Sequence, residues 1–408
     1  MRPRQMRPST RPEPDPPRVP SAKSLAGSKD PHRRKILVLG LRRAGKTAIQ
    51  EVVFHGMSPR DTFFIEPTFR VSKEDVNTII PLQLWDCPGG MPVENLDVLL
   101  DAFSTLVFVI DIQDEYSHAI SKLVHLMAMV YTVHPLINIE VFVHKAESMS
   151  EDYKIDNFRQ LQERVYDETI DHPLPLENLQ ITFHLTSVYD HTIYEAWSRV
   201  IQKLIPPLAA LENLLNVLCS NSGLSKAFLF DIKTLTHVAA DESPPDATTY
   251  GLCCEYIQTL LQFSNLYKYP QSSRTHQPLP PPQLTSTHTP SSSIPARKGT
   301  QPLSIPNSKT SRPPPANSTH SSAPSTLSNT SVDLDPADSR VWSTSSVRLK
   351  PQTTLAYWEI TNQLSLVALI RSETYEASQG LIDYNVTFFR KAIHRIVDIE
   401  KAKWPSGD

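Results

Sequence analysis

The residues best suited to chemistry are eight consecutive ones, Gly40-Leu-Arg-Arg-Ala-Gly45-Lys46-Thr47. A loop of this spacing turns its backbone N–H groups inward around phosphate oxygens, and a helix that starts at its end adds the favourable end of its dipole. Gly40, Arg43, Ala44 and Gly45 would line that cradle. Lys46 would reach the β- and γ-phosphates of a nucleotide, and the Thr47 hydroxyl would ligate Mg²⁺. At average composition such a string arises by chance in roughly one 400-residue chain in a hundred. A strand before it and a helix after it make the coincidence rarer still.

Three further groups follow in order. Trp85-Asp86-Cys87-Pro88-Gly89 closes an apolar run. There Asp86 can hold Mg²⁺ through water, and the Gly89 amide can meet a γ-phosphate. Alone, an aspartate ending a strand is often a turn former, but at this distance after a phosphate loop it matches a GTPase-type switch. Between the two, Thr68 in Glu66-Pro67-Thr68 is either the second hydroxyl on Mg²⁺ when its loop closes or a threonine in a solvent loop. His144-Lys145-Ala146-Glu147 stands where small GTPases carry Asn-Lys-x-Asp. In that motif the lysine stem lies over the base, and the carboxylate accepts from guanine N1–H and the exocyclic amine. Leu185-Thr186-Ser187-Val188 stands where such proteins place a backbone amide on the guanine oxygen. The expected ligands are GTP or GDP with Mg²⁺.

Strand ends must carry these groups. The runs 35–39, 81–86, 104–111, 139–144 and 179–185 are short and apolar, as buried parallel strands are. Helical spacing fills 115–133, 150–168 and 190–205. The alternation predicts an α/β domain with a mostly parallel, doubly wound sheet, its ligand at the carboxyl ends of the strands. Past Pro206-Pro207 the rhythm changes. Leu208, Leu211, Leu214, Leu215 and Leu218 share a helix face. Residues 226–232 and 235–240 read as a hairpin, 251–267 as a helix, 353–361 and 364–370 as strands. A closing helix stacks Ile382, Val386, Phe389, Ile393 and Ile396. This is a smaller α+β domain.

Composition separates the folded parts from the rest. Of 36 prolines in 408 residues, 8 fall in 1–31 and 14 in 270–340. The second stretch also holds 25 Ser/Thr, too little apolar surface to offset chain entropy. The expected plan is a disordered basic arm at 1–33, a nucleotide domain at 34–206, and a C-terminal domain at 207–402 interrupted by a disordered insertion at 270–345. A net charge of −3 gives no field for nucleic acid. No apolar run is long enough to span a bilayer, and neither terminus shows a leader or a lipidation motif, so no nucleic-acid partner and no direct membrane insertion are expected. Cys87, Cys219, Cys253 and Cys254 lack CxxC spacing and read as reduced thiols. The 14 histidines show no metal-ligand spacing, and His191 is expected to cap or orient the helix that follows it.

The stretches GLRRAGKTAIQ, VVFHGMSP, WDCPGG, VFVHKAE and LTSVYDH resemble the Rag family of small GTPases, in its RagC/RagD-type branch, whose fungal members are the Gtr proteins. The second half is similar to that family's C-terminal roadblock (longin-like) dimerisation domain. The likeness covers roughly 35–268 and 346–399. It implies a heterodimer with a RagA/RagB-type subunit, held at the cytosolic face of the lysosome or vacuole by a lipidated scaffold complex, with the nucleus as a further location. It also implies signalling of amino-acid sufficiency to the target of rapamycin kinase complex. Three residues depart from small-GTPase patterns. Gly90 stands where a glutamine orients the attacking water, so slow, partner-dependent hydrolysis is expected and no side chain is assigned to catalysis. Arg42 takes a loop position that many signalling GTPases keep as glycine. Glu147 replaces an aspartate. Gly90 and Glu147 favour a rival reading, a catalytically inert nucleotide-binding subunit that serves as a scaffold for the heterodimer. A P-loop ATPase would need an acidic pair after its strand and gives no reason for residues 144–147 or 185–187.

Overall fold

The computed structural model describes residues 33–92, 100–244, 246–267, 342–350 and 352–403. The expected basic arm up to residue 32, and the proline-rich insertion up to 341, lie outside the described residues. Strand β1 (Arg34–Gly40) leads through the phosphate loop into helix α1 (Lys46–His55). Next come β2 (Ser72–Asn77), β3 (Pro81–Asp86), β4 (Thr105–Asp111), α2 (Ser117–Val133), β5 (Asn138–His144), α3 (Glu151–Ile170), β6 (Ile181–Thr186) and α4 (Thr192–Gln202). The sheet runs β2-β3-β1-β4-β5-β6. Every pair is parallel except β2 with β3.

Alternate residues of each central strand point to opposite faces, and both faces are covered. Ile36, Val38, Val107, Val109 and Phe142 pack with Ile49 and Val52 of α1 and Ile193 and Trp197 of α4. Leu37, Leu39, Phe108, Val141 and Val143 pack with Leu123 and Met127 of α2 and Leu161 and Val165 of α3. This is the doubly wound α/β arrangement expected from the apolar runs. The parallel register aligns Val38 with Asp86, Gly40 with Val109, Asp111 with His144, and His144 with Thr186. Chain order reverses about β1, so the carboxyl ends that carry the motifs meet at a topological switch point.

The second sheet is antiparallel, in the order β8-β7-β11-β10-β9. Helix α5 (Leu208–Ser222) precedes the hairpin of β7 (Leu224–Asp231) and β8 (His237–Ala240), and α6 (Ala247–Tyr267) follows it. Strands β9 (Thr344–Leu349), β10 (Thr353–Glu359) and β11 (Leu364–Arg371) lead into α7 (Ser372–Lys403). In this part the expected two strands are three: β9 begins inside the segment assigned to the insertion. Its sequence, TSSVRL, is mostly exposed at the sheet edge, so burial imposes no apolar pattern. Edge strand β2, SKEDVN, escapes pattern reading for the same reason. Among the described residues no helix is long and apolar enough to cross a membrane.

One apolar cluster runs without a break from α1 and α4 into the C-terminal sheet. Trp197 anchors its α4 part, fully buried and edge-on to Phe54 at 5.0 Å and Phe142 at 5.6 Å between ring centroids. Trp197→Ala would leave a cavity between α1, α4 and the sheet, and such truncations cost about 3–5 kcal/mol. Thermal or urea unfolding of the variant should show a loss of that size, and a change under about 1 kcal/mol would contradict this packing.

Candidate functional site

The phosphate loop is shaped by residues without room for a side chain. Gly40 has φ of +144°, and a β-carbon there would lie 2.3 Å from the Val109 carbonyl oxygen. Gly45 has φ of +100°, and its β-carbon would lie 2.7 Å from the His144 ring. Arg43 holds φ of +66°, a left-handed conformation that costs a residue with a β-carbon about 1–3 kcal/mol. Ala44 is buried beneath the loop. Lys46 folds back across it and donates to the carbonyls of Gly40 at 3.3 Å and Leu41 at 3.0 Å. Burial lowers its pKa, and nearby Asp86 opposes that shift.

Thr47, Thr68 and Asp86 meet beside that lysine. The Thr47 hydroxyl donates to Asp86 Oδ2 at 2.5 Å and lies 2.7 Å from the Thr68 hydroxyl, which is 3.4 Å from the same carboxylate oxygen. The Thr68 hydroxyl is thus held beside Thr47 and Asp86. Asp86 is 1% exposed and its Oδ1 is buried with no hydrogen-bond partner. Burial raises its pKa, against the hydroxyl hydrogen bonds and Lys46. A buried carboxylate with an unused oxygen, flanked by two hydroxyls, is an incomplete set of hard oxygen donors. Such a set fits Mg²⁺ arriving with phosphate oxygens, since Mg²⁺ is usually held by one or two carboxylates plus substrate. Among the described residues no cluster of three His, Cys, Asp or Glu could hold a metal alone. Cys87, next to Asp86, has its thiol pushed up to about 12 by burial, so it is inert. The other three cysteines are also free thiols.

Gly89 closes the phosphate end. A β-carbon on it would meet the Arg42 backbone at 2.3 Å, so the switch strand end abuts the loop directly. On α2, which borders this end, Lys122 approaches the Gly89 carbonyl at 3.5 Å. Gly90 is exposed, and a β-carbon there would meet nothing within 4 Å.

At the base end His144 ties three loops together. Its ring packs on Gly45, and Nδ1 lies 3.0 Å from the Thr186 hydroxyl. The Lys145 ammonium pairs with Asp111 at 2.5 Å, and its carbonyl accepts from Gln113 at 3.0 Å. Ser187 is buried, its amide donating to the Thr192 hydroxyl at 3.0 Å and its own hydroxyl accepting from the Tyr189 amide. Thr186 and Ser187 thus form a rigid wall. Glu147 lies in the short turn after Lys145 with its side chain exposed, outside the knot of contacts made by the others. Asp111, Gln113, Thr192 and Lys122 went unassigned in the sequence. The aspartate ends an apolar run as Asp86 does, but the other three carry no motif. His191 takes the expected place at the start of α4. It occupies the N-cap of α4 without a side-chain cap bond. Instead its ring crowds Gly251 and lies 3.6 Å from Glu255, both on α6.

Burial drives the pKa of His144 down to about 3, with Lys145 adding to the shift and the Thr186 contact opposing it. His237 is likewise pushed down to about 3 by desolvation, with Arg199 and Lys226 adding to the shift. In the unfolded chain each histidine binds a proton below pH ~6.5, while the folded protein does not until about pH 3. Stability is therefore full above pH ~6.5 and falls as the pH drops below it, at up to about 1.4 kcal/mol per pH unit for each histidine. His144→Asn should make stability, read from urea midpoints at pH 7.5 and 5, less sensitive to acid than in the parent protein. An unchanged dependence would contradict a neutral buried His144.

Residues 35–257 match the family described as the Gtr1/RagA G protein conserved region. The chain is 35% identical to Ras-related GTP-binding protein C of Homo sapiens over 379 residues, 91% of this chain and 79% of that one. It is 37% identical to GTP-binding protein gtr2 of Schizosaccharomyces pombe over 367 residues, 89% and 98% of the two chains. Against GTP-binding protein GTR2 of Saccharomyces cerevisiae it is 42% identical over 239 residues, 58% and 70%. A phosphate loop, a switch aspartate and a base-side wall at the ends of adjoining parallel strands agree with these relationships, and the chain belongs to the Gtr1/RagA family of small GTPases, in its RagC/Gtr2-type branch.

Proposed function

We propose that this chain is the RagC/Gtr2-type subunit of a heterodimer with a RagA/RagB-type GTPase, switching between GTP and GDP with Mg²⁺ at its phosphate end. The observation that carries the reading is the Thr47–Thr68–Asp86 cluster with its unused carboxylate oxygen. In this reading Lys46 swings from the loop carbonyls onto the β- and γ-phosphates, and the amides of Arg43, Ala44 and Gly45 line them. Thr47, Thr68 and Asp86 would hold Mg²⁺, which when bound would supply Lewis-acid neutralisation of phosphate charge. The γ-phosphate keeps Thr68 and Gly89 in place, and its loss frees both segments, a switch of the order–disorder kind. His144, Lys145, Thr186 and Ser187 build the base pocket, with Glu147 as the residue that reaches in from the turn.

Residues 34–206 serve as the nucleotide domain and 207–402 as the pairing domain. Support for pairing comes from apolar side chains left in solvent on two packed helices, Val217 on α5 with Leu381, Tyr384 and Phe388 on α7. The heterodimer sits on the cytosolic face of the vacuole or lysosome, brought there by a lipidated scaffold complex, and reports amino-acid sufficiency to the target of rapamycin kinase complex. Turnover is slow and partner-dependent because Gly90 offers no side chain to position water.

Two outcomes follow. Co-expressed with a RagA/RagB-type subunit, the chain should elute as a one-to-one complex carrying guanine nucleotide, and Lys46→Ala or Thr47→Asn should deplete or bias the nucleotide on this subunit. Unchanged occupancy in both variants would refute the loop assignment. Gly90→Gln has open space around it and should raise the single-turnover hydrolysis rate by about tenfold or more. A rate that stays at background in this variant and with every activating partner favours the inert scaffold subunit.

A further inference from the structure

We propose that the cleft between helix α4 and the β7–β8 hairpin binds a small organic cation bearing several N–H donors, of the alkylguanidinium or polyamine kind. No residue of the phosphate loop or of the base-side wall lines this cleft, so it is a second site beside the nucleotide pocket.

Charge comes first. The cleft holds about 340 Å³, at the small end of ligand pockets, which run from roughly 300 to 1,000 Å³. Five carboxylates line it, from α4, α5 and the connection between β8 and α6, against the two cations Arg199 and Lys226. Both cations are already satisfied. Lys226 is buried, donates to the carbonyls of Ser243 at 2.6 Å and Asp241 at 3.2 Å, and pairs with the Asp241 carboxylate at 3.2 Å. Arg199 pairs with Glu195 at 2.6 Å. Asp246 accepts from the amides of Thr248 and Thr249. The carboxylates of Glu212 and Glu242 have no hydrogen bond or ion pair among the described residues. The cleft therefore carries an excess of negative charge, two members of which are uncommitted.

A second, independent observation points to N–H donors. His237 lines the cleft, and its Nδ1 is buried with no hydrogen-bond partner, a state that costs free energy until a ligand relieves it. The imidazole is neutral, since burial pushes its pKa down to about 3. With its proton on Nε2 it offers Nδ1 as an acceptor. Phe228 and Tyr250 stand beside it, their ring centroids 5.7 Å and 5.1 Å from that of His237. Such an aromatic floor suits the stem or the planar face of an organic cation. A metal ion fits poorly. Among the described residues no cluster of three His, Cys, Asp or Glu could hold one, because the carboxylates ring the cleft rather than converge. An extended cation with several N–H groups can meet Glu212, Glu242 and His237 Nδ1 in turn. With α4 on one wall and β7 and β8 on another, an occupant also ties the nucleotide domain to the C-terminal one.

The test is calorimetric titration of agmatine, spermidine and tetramethylammonium onto the full-length chain, in about 0.15 M salt so that weak surface attraction is screened. Agmatine or spermidine should bind one per chain with a Kd of about 1 mM or tighter and raise the thermal midpoint. Tetramethylammonium carries the charge but no N–H donor, and should bind at least about tenfold more weakly. Glu212→Gln combined with Glu242→Gln keeps side-chain shape and removes the two uncommitted charges. It should lower affinity about tenfold or more and leave the thermal midpoint of the unliganded protein where it is. His237→Phe keeps the ring and removes the acceptor, and should also weaken binding. No saturable binding of either amine up to about 10 mM overturns the proposal, as does tetramethylammonium binding as tightly as the amines. Full affinity in the paired glutamine variant, or in a folded His237→Phe protein, overturns it as well. Should His237→Phe fail to fold, the glutamine pair decides alone.

Discussion

The site exists because three segments of the chain approach more closely than a β-carbon on Gly45 or Gly89 would allow. Gly45 lies against the His144 ring and Gly89 against the Arg42 backbone, at distances where any side chain would collide. Through these contacts the phosphate loop, the switch end of β3 and the base-side end of β5 become one surface. The parallel register brings the strand ends level, but only the missing β-carbons let the loops close. The chain has just 11 glycines, so their placement here is a constraint imposed by the ligand rather than by general flexibility.

Charge completes what sterics begin. Lys122 reaches the Gly89 carbonyl and Lys46 the neighbouring loop carbonyls, and Asp86 is the buried carboxylate that answers Lys46. Its own pKa is raised by burial, so it gains from a divalent cation on its unused oxygen. An arrangement of this kind is unsatisfied alone and satisfied by a polyphosphate with its metal. At the other end, the buried neutral imidazole of His144 fixes geometry without adding charge, which leaves recognition of the base to hydrogen bonds.

Much of this is legible in the sequence, for physical reasons. A strand buried on both faces must be apolar throughout, so β1, β3, β4, β5 and β6 stand out as short runs. A phosphate loop must have its glycines and lysine at fixed spacing, so Gly40, Gly45, Lys46 and Thr47 were readable, and chain order then located Asp86, Gly89, His144 and Thr186. Edge strands β2 and β9 were not legible, since their polar sequences satisfy solvent on one side. Nor were Asp111, Thr192 and Lys122, whose roles arise only where separate segments meet. His191 shows the same limit: its place at the start of α4 was legible, but its ring's contacts on α6, about sixty residues further on, were not.

A guanine-nucleotide switch requires guanine selectivity at a pocket whose phosphate end carries Thr47, Thr68 and Asp86 and whose base-side turn carries Glu147. The most direct measurement is a competition titration of GTP, GDP and ATP onto the purified chain, with and without Mg²⁺. Guanine nucleotides binding at least about a hundredfold more tightly than ATP, and losing affinity when Mg²⁺ is removed, is the predicted result. Equal affinity for ATP and GTP would contradict it.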